Sequence, residues 1–317
     1  MTDKLHLIVS EKFNYKQTIV PDCGYEYAKA LGISSVPISK ADFSSSGIWI
    51  LDNRIEESEN ALLLPLLAKY KKTKILIRVI DPYWETADTT PHLHFAFKAS
   101  RLPNVGFLSP YQPEELVKFL FDNALQTGGF FVSPYPYEKE SELEIEATWE
   151  KRSKKIALSG RRNANVYPYR ESMYRKQWAD LKMWGKFRIL NHPGYPDLNN
   201  VLLHKKVGRS FVEWLSKSEI CYLCPSRCHL EFLKYRECAY AGCCPAGVPP
   251  KTMDTHLKDI FLRLELADYH YNRDFVLKQS KQERMERALA FRQAMQRERD
   301  PKRLREKLLT ELSAWKS

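Results

Sequence analysis

The stretch 220–248 constrains this chain more than any other. Ile220, Cys221, Tyr222, Leu223 and Cys224 form an apolar run, Pro225 and Ser226 break it, and 230–241 has the composition of a helix. Gly242 stops that helix, and Cys243 to Val248 make a second short apolar run. Strand, helix and strand at this spacing form a parallel β-α-β unit, which needs a sheet covered by helices. Ligands of such sheets bind beyond the carboxyl ends of the strands, where helix N-termini present free N–H groups to anions. A second segment points at the same crevice. Residues 154–160 read as a strand ending on Gly160, followed by Arg161, Arg162 and Asn163. Together the two segments predict a pocket for a phosphorylated, nucleotide-like ligand.

The N-terminal half has the same grammar. Strands are expected over 5–9, 47–51, 74–80 and 105–108, and helices over 24–31, 56–70 and 113–124. The run Ile75-Leu76-Ile77 with Val79 and Ile80 is nearly continuous and β-branched, as in a strand covered on both faces. Asp52 and Asp81 follow two of these strands, where a carboxylate can act as a general base or orient a sugar hydroxyl. Both also suit a turn or a helix cap. His92 and His94 flank Leu93 in a segment read as a loop, which puts both on one side if it is extended.

At 317 residues the chain is long enough for two domains. The Pro- and Glu-rich segment within 131–150 is the expected crossing between them. This divides the chain into 1–140, 150–270 and C-terminal helices over 271–317. In the second half, helices are expected over 171–184, 210–216, 255–266, 274–294 and 301–315, with a strand over 187–190 and a loop over 191–195.

The net charge of +11 calls for an anionic partner. From 276 onward there are twelve Lys/Arg against six Asp/Glu, so about half of the excess lies in the tail. A solvated helical face explains this, and so does a basic surface for nucleic acid or anionic lipid. No run approaches the ~20 apolar residues of a membrane span. The N-terminus reads as a first core strand, and a cytoplasmic location with reduced thiols is expected.

The motifs carry chemistry by what they include and what they lack. Gly-x-Gly-x-x-Gly, a Walker-type Gly-Lys-Ser/Thr loop and Asp-x-Asp are all absent. Three arginines, Arg161, Arg162 and Arg170, stand near a strand end, where guanidinium forks hold phosphate bidentately. Cys221, Cys224 and Cys228 have C-x2-C-x3-C spacing, with His229, Cys238, Cys243 and Cys244 close by, so a cysteine-ligated zinc or iron–sulfur module is a competing reading. Against it, Cys221 and Cys224 lie three apart on an apolar strand and point to opposite faces.

The strand-Gly-Arg turn at 154–162, the Tyr-Pro-x-Arg segment at 167–170, the strand-Pro-Ser turn at 220–226 and the Glu-x-x-x-x-Gly-x-x-Pro pattern at 237–245 resemble the C-terminal domain of GT-B glycosyltransferases. The nearest type is the bacterial group-1-like family that uses nucleotide sugars. The resemblance covers about 154–248. It implies an α/β protein of two Rossmann-like domains facing a central cleft, with C-terminal helices crossing back to the N-terminal domain. It also implies that Glu237 binds the donor ribose and that Arg161, Arg162 and Arg170 contact the diphosphate. Backbone N–H groups near Ser226 would face phosphate, and Gly160 and Lys234 complete the donor-binding set. The implied activity is metal-independent transfer of a hexosyl or related group from a nucleotide sugar to a glycan, glycolipid or protein, with Asp52 or Asp81 on the acceptor side. The donor is a co-substrate, so no cofactor is expected, nucleic acid is not the expected partner, and contact with an anionic membrane is a further expectation. The sequence departs from the pattern in two places. The Gly-rich segment before the helix is replaced by Arg227-Cys228-His229-Leu230, and no second acidic residue precedes Glu237 at the usual place.

Overall fold

The computed structural model describes residues 4–13, 25–80, 90–110, 129–139, 141–146, 148–192, 206–227, 229–251 and 253–315. They form two compact units, Met1–Pro136 with Pro301–Ser317, and Tyr137–Asp300.

The first unit is a parallel sheet covered on both faces. Its elements are β1 (Leu5–Val9), α1 (Tyr25–Ala30), β2 (Ser34–Pro37), β3 (Ile48–Leu51), α2 (Glu57–Lys69), β4 (Lys74–Arg78), α3 (Thr90–Ala99), β5 (Val105–Ser109) and β6 (Phe130–Val132). The strand order is β2-β1-β3-β4-β5-β6, and every described pairing is parallel. Alternation splits each strand between two cores. Ile8, Leu51, Ile75 and Ile77 pack on one side with Leu63 and Leu67 of α2 and Leu93 and Ala96 of α3. Leu7, Ile50 and Leu76 pack on the other with Tyr27 and Ala28 of α1. Truncating any of these buried leucines to Ala costs about 2–5 kcal/mol.

That second core is completed by the C-terminal helix Pro301–Ala314, whose Leu304, Leu308 and Leu312 recur every fourth residue, and by Trp315. Lys74 fixes the end of this helix. Its Nζ donates to the Leu312 and Trp315 carbonyls at 3.2 and 2.7 Å, placing a cation at the negative end of the helix dipole.

The sequence did not suggest β2, because Ser34–Pro37 is short, polar and half-exposed, as suits an edge strand. The segment holding His92 and His94 is helical rather than a loop. Two helical positions apart they point to opposite sides, and only His92 turns inward, its Nε2 lying 2.8 Å from the Arg78 carbonyl. The helix expected over 113–124 lies outside the described residues.

The second unit contains β7 (Ser153–Gly160), α4 (Pro168–Ala179), β8 (Phe187–Asn191), α5 (Arg209–Ser216), β9 (Ser218–Leu223), α6 (Leu233–Ala241), β10 (Cys244–Gly247), α7 (Thr255–Ile260), β11 (Leu262–Arg263), α8 (Tyr269–Lys278) and α9 (Lys281–Glu298). The order is β11-β10-β9-β7-β8, again with parallel pairs. Gly247 lets β10 approach β9. A Cβ there would fall 2.1 Å from the Leu223 carbonyl oxygen, at a φ of +126°. The stripe read as a helix over 255–266 is helical only to Ile260, because Leu262 and Arg263 leave to pair with β10. The helix expected over 274–294 is two helices, divided where Ser280 caps α9 through a reciprocal box with Glu283.

The described cysteines are core. Cys221, Cys224, Cys238, Cys243 and Cys244 are free and buried, and Cys221 and Cys224 belong to clusters on opposite faces of the sheet. Burial pushes the Cys238, Cys243 and Cys244 thiols up, Cys243 to about 12, away from the thiolate a metal needs. Among the described residues no group of His, Cys, Asp or Glu could hold a metal ion. Cys228 lies outside them.

Much of the basic tail turns inward. Arg284 pairs with the buried Glu219 at 2.6 Å. Arg287 donates to the Ile260 carbonyl at the end of α7, Arg292 to the Ala239 and Tyr240 carbonyls at the end of α6, and Arg305 to the Gly32 carbonyl just past α1. Arg299 joins Glu231 and Asp254 at 2.8 and 2.9 Å. These cations close helix ends and buried pairs, which spends a large part of the tail's charge on the fold itself. Among the described residues, no helix is long and apolar enough to cross a membrane.

Candidate functional site

Chain direction locates the site. From β7 the chain passes to β8 on one side and then to β9 on the other, so the sheet's switch point lies between β7 and β9. The crevice at their carboxyl ends is where a parallel sheet of this kind takes a ligand. Gly160 ends β7, and Cys224 follows β9.

Two cations close on Gly160. Lys234, in the first turn of α6, donates from Nζ to the Ser159 carbonyl at 2.6 Å. Arg170, in the first turn of α4, donates from Nη1 to the Arg161 carbonyl at 3.1 Å and lies over the Tyr167 ring at 4.2 Å. A Cβ on Gly160 would fall 2.6 Å from Lys234 Nζ and 2.8 Å from Arg170 Nη1, at a φ of +110°. The φ favours glycine here, and a Cβ would also push the two side-chain ends away from the turn.

The two charges raise each other's cost. Burial, then the nearby Arg170 charge, pushes the Lys234 ammonium down to about 7, against the opposing pull of Cys224, Cys221 and Glu237. Burial also works against the Arg170 charge, but Cys224, Tyr167 and Tyr174 hold its pKa above the ordinary guanidinium value. A pair of crowded cations at a strand end can take an anion, which would relieve their repulsion. Glu237 stands one turn beyond Lys234 on α6 and half-buried. Helix α6 begins without a side-chain cap at Phe232, so its first N–H groups keep their positive end.

The other sequence candidates separate. Ser226 is fully buried, and its carbonyl accepts from the His229 N–H at 3.0 Å. Arg161 is exposed. Arg162 is also exposed and is committed to Glu171 by two bonds of 2.9 and 3.0 Å. Of the three arginines, Arg170 is the one placed against Gly160.

Two features of this crevice escaped the sequence reading. Cys224, read as a metal ligand or a buried thiol, lies beside Arg170, and its place at the end of β9 was the available signal. His229 takes a left-handed φ of +54° just before α6. That backbone state favours glycine, and it stands where the Gly-rich segment is replaced.

In the first unit the switch point lies between β1 and β3, and the residues described at the carboxyl edge there are charged. Asp52 is 0% exposed and lies 3.3 Å from Arg78, which in turn lies 4.3 Å over the Tyr27 ring. Ser10 donates to Glu59 at 2.6 Å, and the Glu11 N–H donates to the same carboxylate. Burial pushes the His92 imidazole down, opposed by its bond to the Arg78 carbonyl and by Asp52. Asp81, and residues 193–195 of the loop after β8, lie outside the described residues.

The sequence matches no protein-family model and no curated protein. Solved structures match along almost the whole chain. An E. coli trehalose-6-phosphate protein bound with UDP-2-fluoro glucose superposes with a TM-score of 0.56 at 13% identity, covering 98% of this chain and 99% of that one. The trehalose-6-phosphate synthase OtsA gives 0.58 at 12% identity, with 98% and 99% covered. An alpha-glucosyltransferase in complex with UDP and a 13-mer DNA containing an HMU base gives 0.56 at 12% identity, with 100% and 96% covered. The fold, two Rossmann-like units of parallel sheet with helices on both faces, is the GT-B fold.

Proposed function

We propose that this protein is a glycosyltransferase that takes a sugar from a nucleotide-sugar donor held at the carboxyl edge of the second sheet. The observation that carries the reading is the closure of Arg170 and Lys234 on Gly160 at the switch point. Breaking the bond from the sugar to a nucleoside diphosphate develops negative charge on the leaving phosphate. Cations fixed beforehand at that place stabilise the transition state more than the ground state. Arg170 and Lys234 supply this charge within the chain, and the sequence has no Asp-x-Asp to hold a metal for the same task. The reading is therefore metal-independent. Glu237 takes the ribose hydroxyls, and the Ser226 backbone and the start of α6 face phosphate.

Two proteins of the same fold carry UDP or a UDP sugar, which makes uridine nucleotides the first donors to test. The acceptor is a glycan, glycolipid or protein hydroxyl. On that side Asp52 is held by Arg78, and Asp81 is the second carboxylate.

The test is release of nucleoside diphosphate from a panel of UDP, GDP, ADP and dTDP sugars, with candidate acceptors and with EDTA. Release that depends on one donor, survives EDTA and disappears in Arg170→Ala supports the reading. Release from no donor, with no nucleotide bound, contradicts it.

A further inference from the structure

The turn between α4 and β8 presents an apolar surface that the donor site does not use. Trp178 is 73% exposed, Leu181 90% and Trp184 67%. The turn itself is firmly held. Met183 is buried between them, the Met183 and Trp184 N–H groups donate to the Asp180 carbonyl at 2.9 and 3.1 Å, and Asp180 accepts from Arg273 at 2.8 Å. These three side chains therefore stand in water because the backbone aims them there. The Lys182–Asp274 pair at 3.1 Å ties α8 to the turn, and α8 carries the exposed Tyr271 and Phe275, one turn apart.

The surroundings are cationic. The segment 175–186 carries four Lys/Arg and one Asp; Arg175 is paired with Glu171 and Lys182 with Asp274, which leaves Lys176 and Lys186 to set the sign. Ile156 pairs with Phe187, which sets the exposed Lys155 close to the exposed Lys186 at the start of β8. All of this lies at the amino edge of the sheet, because α4 returns the chain from the end of β7 to the start of β8, whereas Gly160 lies at the carboxyl edge.

We infer that this turn, with the outer face of α8, is a docking surface for an anionic lipid bilayer. Tryptophan and tyrosine settle at the headgroup level, and aliphatic and phenylalanine side chains reach the acyl boundary. Each lysine close to the surface adds attraction to acidic lipid within a Debye length. Leu181 favours a bilayer over a sugar polymer or a nucleic acid, because its aliphatic side chain offers no stacking face but suits the acyl boundary. Docking through this edge does not cover the phosphate site of the same unit, which lies at the opposite edge of the sheet. The inference stands whether or not the donor reading does, because it uses none of the same residues.

Flotation of the full chain with phosphatidylcholine vesicles, and with vesicles of 70:30 phosphatidylcholine to phosphatidylglycerol at about 0.1 M salt, tests it. Binding to the acidic vesicles alone is expected, falling at least tenfold in Trp178→Ser/Leu181→Ser/Trp184→Ser at an unchanged melting temperature. If that variant melts early, Lys186→Glu with Lys155→Glu keeps the apolar side chains and is expected to lose the same preference. No binding by the wild type overturns the inference, and so does equal binding by both variants. Self-association of the wild type that the triple substitution abolishes, without vesicle binding, gives the surface to a second copy and also overturns it.

Discussion

Lys234 Nζ lies 2.6 Å from the Ser159 carbonyl oxygen, so the first turn of α6 is pinned across the end of β7 by a lysine rather than by a neutral donor. That bond holds the Lys234 amine at the switch point, beside Arg170. Adding a Cβ to the next residue removes the arrangement. Gly160→Ala forces Lys234 Nζ and Arg170 Nη1 away and places alanine at a φ of +110°. Nucleotide affinity is expected to fall at least tenfold, and stability by about 1–3 kcal/mol from the backbone alone. Calorimetric titration and thermal melting check both.

Lys234 also predicts how binding follows pH. Its folded-state pKa is lowered to about 7 from the ordinary 10.5 by burial and then by Arg170. Between those values the unfolded chain holds more protons than the folded one, so this residue's contribution to stability rises with pH across that window. A diphosphate favours the protonated form, so binding takes up a proton above pH 7. Affinity should fall by up to about tenfold per pH unit from 7 to 9, with one proton absorbed. Titration in buffers of different ionisation enthalpy measures it. Lys234→Met should abolish the uptake, and uptake persisting in that variant assigns the proton to another group.

The basic tail gives a stability prediction. Glu219 and Arg284 are both buried and lie 2.6 Å apart. Arg284→Met leaves a buried carboxylate without its cation and should cost about 3–5 kcal/mol. Glu219→Gln in the same background should recover most of that loss. Denaturant unfolding of the two variants gives the comparison, and a cost below about 1 kcal/mol for the single substitution would show that the pair carries little.

The elements were legible where pattern and physics agreed. Continuous runs such as Ile75-Leu76-Ile77 named their strands, and Gly160 and Gly242 marked real ends. Legibility failed where a tertiary partner decided. Leu262 and Arg263 continue an apolar helical stripe, yet β10 draws them into the sheet. His92 and His94 sit in a segment with Pro91, which reads as a loop until Arg78 offers His92 a carbonyl from the end of β4. At the site, the sequence named all three arginines by proximity to Gly160. Which one faces the glycine depended on Glu171, which takes Arg162 sideways, and no spacing rule shows that.

The most direct test of the central claim is a calorimetric titration of the purified chain with UDP, GDP, ADP and dTDP, each with EDTA present, repeated in Arg170→Ala and Glu237→Ala. The account predicts saturable binding of one nucleotide by the wild type. It predicts a loss of about 10- to 100-fold in each variant, the size of a hydrogen bond to a charged group, at unchanged fold by circular dichroism. Binding that is equal in the wild type and both variants would contradict the assignment of this crevice to the donor, as would binding of none of the four.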